Sequence, residues 1–173
     1  KSVEQLFNSF DPAPFREREL DREAERHIVS YAREIDAGNP VELVIYLPPA
    51  TIAPTLSKEL AAAIGHHFEL RAREQEIELN ELRRLGRKGL AVGLLVMLFA
   101  TLAGIGLTNV FPKSSFFETI EQSLIIFAWV ALWRPAEIFL YDRWPLIRER
   151  KLFQRLATAP VIVRAAEANV RPA

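Results

Sequence analysis

The sequence predicts a mainly α membrane protein: a two-helix transmembrane hairpin with a small cytoplasmic α/β lobe, ordered helix, strand, long helix, then a short C-terminal helix and strand. Three observations carry this reading. Gly89 to Val110 is a run of 22 residues without a charge, a second apolar stretch follows shortly after it, and Lys and Arg crowd the outer flanks of the pair but not the turn between. At about 1.5 Å of rise per residue the first run reaches about 33 Å as a helix, enough for a hydrocarbon core of about 30 Å.

Composition narrows the chemistry. Lys plus Arg and Asp plus Glu both number 22, so net charge offers no argument for nucleic acid or for acidic substrates. Cysteine is absent, which removes disulfides, thiol catalysis and thiolate metal sites together.

Residues 1–53 read as a cytoplasmic helix and strand lobe. Asp11 with Pro12 or Pro14 is expected to open a helix whose buried face is Leu20, Ala24, His27, Ile28, Tyr31 and Ile35, spaced at three and four. Gly38-Asn39-Pro40 is expected to stop it, Gly38 supplying a left-handed cap and Pro40 forbidding continuation. Val41 to Leu47 is rich in β-branched and aromatic residues and closes on Pro48-Pro49, the pattern of a strand. Residues 54–88 continue as a long cytoplasmic helix, expected to bend near Gly86 and Gly89, with Glu69 and Arg73 paired one turn apart.

The hairpin occupies 89–142, with spans 89–110 and 119–141 and an external loop 111–118. Ser115-Phe116-Phe117-Glu118 has the form of a capping box ahead of the second span. That span is less pure than the first: Gln122 to Trp133 is uncharged, then Arg134, Pro135 and Glu137 interrupt it. Residues 143–173 read as a cytoplasmic basic helix, Pro145 to Ala157, and a short strand at 160–164. One strand cannot stand alone, so Val41, Leu43 and Ile45 are expected to pair with Val161 and Val163, within a chain or between neighbours.

Orientation follows from the flanks. Arg71, Arg73, Arg83, Arg84, Arg87 and Lys88 precede the first span, and Arg143, Arg148, Arg150, Lys151 and Arg155 follow the second, whereas the loop has only Lys113. The excess puts both termini in the cytoplasm.

Candidate sites are few. Arg134 and Glu137, three apart, share a helix face at a depth assigned to the inner leaflet, where ionisable groups are costly. A structural ion pair near the interface, with Arg134 snorkelling and Pro135 bending the helix, is preferred over a proton or ion pathway. Gly89 and Gly93, then Ala100 and Gly104, form small-xxx-small steps, the expected contact for the second span or a partner. His27, His66 and His67 lack Cys or a His pair at i, i+4, and adjacent helical residues point about 100° apart, so no metal site is expected within one chain. No phosphate loop, G-x-S-x-G or H-E-x-x-H is present, and neither enzyme activity nor a cofactor is expected.

The runs FNSFDPAPFREREL, ELVIYLP and AWVALWRPAEIFLYDRWPLIRERKLFQRL resemble a family of small, uncharacterised bacterial inner-membrane proteins with two spans. The resemblance implies a bacterial inner-membrane location and that topology, and no activity. The expected function is a non-enzymatic anchor or interaction subunit that sits in the lipid bilayer and assembles with itself or a larger membrane complex. The alternative is a homo-oligomeric ion channel or transport pore lined by Gln122, Ser123, Arg134 and Glu137.

Overall fold

The computed structural model describes residues 6–8, 14, 18–36, 38–49, 55–110 and 115–166. It is mainly helical and divides into two compact units, residues 1–75 with 148–173 and residues 76–147.

The first unit is the small lobe. Its first helix, α1, is Arg22–Glu34, and Asp21 caps it by accepting from the backbone N–H groups of Glu23 and Ala24 at 2.9 and 3.4 Å. Glu23 and Glu25 in the first turn and Arg33 in the last complement the helix dipole. The start therefore falls at Asp21 rather than near Asp11, which lies outside the described residues. Leu20 is not helical; it forms an antiparallel bridge with Phe7. The buried face of α1 is Val29 and Ala32, with Ile28 beside them, while Tyr31 is 59% exposed and Ile35 lies past the helix end. The helix ends earlier than the Gly38 signal, at Ile35 in extended conformation, φ −85° and ψ 125°. No left-handed conformation is needed at Gly38. Instead the Arg155 guanidinium donates to the carbonyls of Asp36 and Asn39, at 3.1 and 2.8 Å, and holds the turn.

Strand β1, Leu43–Leu47, alternates inward Leu43, Ile45 and Leu47 with outward Val44 and Tyr46, as a half-buried strand must. It pairs in parallel with β2, Val161–Ala165, Leu43 opposite Val161 and Ile45 opposite Val163, so the pairing is made within one chain. Val41 lies before the ladder and is a core residue. Parallel strands need a long connection, and here it is the whole of α2 to α4. Under the strands, Leu60, Ala63, Ile64 and Phe68 from α2 pack with Leu152, Phe153 and Leu156 from α4. Phe68 stacks on Phe153 at 6.1 Å between ring centres. At Gly65 any Cβ would stand 2.9 Å from the Ala157 carbonyl oxygen, so only glycine permits this approach.

The second unit is a helical hairpin. Helix α2, Leu56–Val110, is continuous α-helix through Gly86 and Gly89. Helix α3, Ser115–Glu137, begins inside the expected loop 111–118, so Ser115 is its first helical residue and not its cap; residues 111–114 lie outside the description. A π turn, Ile138–Asp142, joins α3 directly to α4, Arg143–Ala157, and the expected C-terminal helix is thus continuous with the second span. Both helices are long and apolar enough to cross a membrane, and each apolar window is only 17% buried.

Glycines hold the hairpin together. A Cβ at Gly86 would lie 2.9 Å from Ile138, at Gly89 3.2 Å from Pro135, at Gly93 2.7 Å from Leu132 and at Gly104 2.9 Å from Glu121. From Gly86 to Gly104 the contacts climb α2 as they descend α3 from Ile138 to Glu121, which is the register of an antiparallel pair whose side chains seat on the glycines. Pro135 has no N–H for the Ala131 carbonyl one turn back, and that oxygen lies against Gly93, 3.2 Å from where a Cβ would be. Gly93→Leu is expected to destabilise the hairpin by about 1–3 kcal/mol through overpacking. Gly106→Ala, with nothing within 4 Å, is expected to leave it unchanged or slightly firmer. Unfolding in mixed detergent, followed by tryptophan emission, compares the two; equal midpoints would contradict the register.

Candidate functional site

Two clusters of charged side chains stand out, one in each unit. In the hairpin, Arg134 donates to Glu137 Oε2 at 3.1 Å and also pairs with Asp142 Oδ2 at 3.2 Å, while the Trp133 indole N–H donates to Glu137 Oε1 at 3.2 Å. The Arg134 and Glu137 pairing is thus that of an ion pair around Pro135. Asp142 is its second carboxylate. On an ideal α-helix a residue eight positions on is about 80° out of phase. The wider π turn advances less per residue, and this brings Asp142 back to the face of Arg134.

The register also sets the level of this cluster along the hairpin. Pro135 stands opposite Gly89, the first residue of the uncharged run, and Ile138 opposite Gly86. Arg134 and Glu137 are therefore level with the start of that run. Of the small residues singled out, Gly89, Gly93 and Gly104 meet α3 of the same chain, and Ala100 is 3% exposed. Glu121 escaped the sequence reading; it rests on Gly104, and only the register reveals that neighbour.

In the lobe, α1 and α2 bring together Glu25, His67, Arg71 and Glu74. Arg71 donates from Nε and Nη2 to the two Glu25 oxygens at 2.9 and 3.0 Å, and from Nη1 to Glu74 at 3.1 Å. His67 is 7% exposed, and its Nδ1 accepts the Leu20 backbone N–H at 3.3 Å, which leaves the ring proton on Nε2. Nε2 lies 3.3 Å from Glu25 Oε2, close enough for attraction but without forming a hydrogen bond. These groups line a cavity of about 440 Å³ together with Asn8, Asp21 and Arg22. The exposed Glu69 and Arg73 pair at 2.6 Å, and His66 and His27 face outward. Among the described residues no three His, Asp or Glu side chains form a group able to hold a metal ion.

The cavity offers an imidazole held by the Leu20 backbone N–H beside a carboxylate, and its described lining has no hydroxyl or thiol to act as nucleophile. Sequence gave no signal for it, because Glu25 and Arg71 are 46 residues apart. Burial pushes the His67 pKa below its ordinary value, with Glu25 opposing the shift. Neutral His67 is the folded form, so its contribution to stability is complete above about pH 6.5 and is lost as pH falls below that value. Arg71 is held charged by Glu74 and Glu25 against the cost of burial. The lobe is expected to unfold more readily as pH drops below 6.5, and His67→Gln to flatten that dependence; hydrogen exchange at the Leu20 amide measures both. A slope unchanged by the substitution would contradict the assignment.

No protein family, curated protein or solved structure matches this chain, and what the structure shows is two helices long and apolar enough to span a membrane.

Proposed function

We propose that the chain is an integral two-span protein of the bacterial inner membrane, both termini cytoplasmic, which works as a non-catalytic anchor. In this reading it presents its α/β lobe to a membrane assembly or to further copies of itself. The observation that carries the proposal is the outward apolar surface of the hairpin. Phe99, Ile126 and Phe127 are 73%, 65% and 65% exposed, and neither helix hides such residues in a core of its own chain. An aqueous surface of this kind is costly, whereas hydrocarbon accepts it, and a helix satisfies its own backbone groups there. The Lys and Arg excess on the outer flanks supports the orientation, and the resemblance in AWVALWRPAEIFLYDRW supports the bacterial inner membrane. Pairing of Arg134 with Glu137 and Asp142 at the start of the run supports an anchor over a conducting pore, which would need such groups unneutralised along a pathway.

Because the chain has no cysteine, single introduced cysteines report topology cleanly. In spheroplasts Lys113→Cys is expected to react with a membrane-impermeant maleimide and Arg148→Cys only after lysis. The reverse pattern would overturn the orientation, and reaction at both sites before lysis would overturn membrane insertion.

A further inference from the structure

We propose that Arg83, Arg84, Arg87, Lys88 and Arg143 form a seat for the headgroups of anionic phospholipids; the proposal rests on the membrane reading above. Contact of Gly86 with Ile138 and Phe139 sets the level of these cations on the two helices, at the charged end of the hairpin. The four on α2 are exposed, and none of the five has an acidic partner among the described residues. Arg134, at the same end, is neutralised by Glu137 and Asp142, so those two carboxylates are already engaged, and exposed Glu81, one turn before Arg84, makes no ion pair with these cations. The Arg143 guanidinium sits 5.8 Å from the centre of the Trp144 ring, and its shielded Nε has no hydrogen-bond partner.

What the seat accepts follows from what borders it. Arg83, Arg87, Leu90 and Leu94 lie along one helix face, two cations and then two exposed apolar side chains. Exposed Trp133, Tyr141 and Trp144 stand at the same end, as aromatic rings do at headgroup depth. A ligand meeting both parts is amphipathic, with an anionic head and an acyl tail, which an acidic polypeptide is not. Guanidinium groups bind phosphate through paired N–H donors. A zwitterionic headgroup brings its own cation to the site and leaves the five charges uncompensated, so the preference is for net-negative lipid.

The test uses the full chain in neutral detergent, with intact protein–lipid assemblies weighed after addition of phosphatidylglycerol or phosphatidylcholine. Phosphatidylglycerol is expected to be retained about ten-fold more than phosphatidylcholine, with the preference fading at high salt. The quadruple variant Arg83→Gln, Arg84→Gln, Arg87→Gln, Lys88→Gln is expected to bring the ratio close to one. The salt series on the unaltered chain tests the proposal even where the variant fails to fold. Equal retention of both lipids, or tighter binding of polyglutamate than of phosphatidylglycerol, by a chain that resists alkaline carbonate extraction overturns the seat alone. Release of the unaltered chain by carbonate overturns the membrane reading itself.

Discussion

The hairpin depends on one constraint, the close seating of α3 side chains, and at Gly93 of the Ala131 carbonyl, against Gly86, Gly89, Gly93 and Gly104 of α2. Between apolar helices in lipid there is little hydrophobic contrast to drive association, so close packing and satisfied polar groups must supply it. Glycine at these positions allows the approach, and the approach fixes the register. Register then decides the rest: Pro135 comes level with the start of the uncharged run, the Ala131 carbonyl that Pro135 deprives of a donor is covered by Gly93, and Arg134 falls at the boundary. The π turn that follows accommodates the change of phase and lets one guanidinium serve two carboxylates.

The lobe solves a different problem. Two strands of five residues make a poor sheet by themselves, and theirs is stable only against a helical core. That core draws on α1, the first turns of α2 and the end of α4, so the N-terminal and C-terminal segments fold as one unit although the hairpin separates them in sequence. Exposed pairs such as Arg33 with Glu149 at 2.8 Å add little, because water competes with them. The Glu25, His67 and Arg71 group is of greater consequence, since removing Arg71 would leave the largely shielded Glu25 without its bidentate partner beside buried His67.

Periodicity and charge made the helical hairpin and the two strands legible, because each is a local pattern: Gly89–Val110 lacks charge, and Val44, Ile45 and Tyr46 favour extended backbone. Boundaries were less legible where tertiary partners set them. Arg155 stabilises the turn after α1, so Gly38 was not needed as a cap, and α1 starts at its Asp21 cap, after Leu20 has bridged to Phe7. The apolar face of α1 was misassigned through Tyr31 and Ile35, whose size implied burial, while small Ala32 is the residue that packs. The level of Arg134 and Glu137 along the hairpin was not legible because counting along one helix cannot see the other. Asp142 and the His67 cavity lay beyond sequence for the same reason: their partners are set by a π turn or by the packing of distant segments.

The central claim is that the hairpin crosses a bilayer with the Arg134 cluster at its edge. Nitroxide labels at Ala136 and Ile126 of the cysteine-free chain, reconstituted in vesicles, test it through collision with oxygen and with a water-soluble nickel chelate. The account predicts that the label at 126 meets oxygen almost exclusively, and that the label at 136 meets the chelate as a headgroup-level site does. A label at 136 as deep as that at 126 would contradict the register, and a label at 126 open to the chelate would contradict the membrane placement.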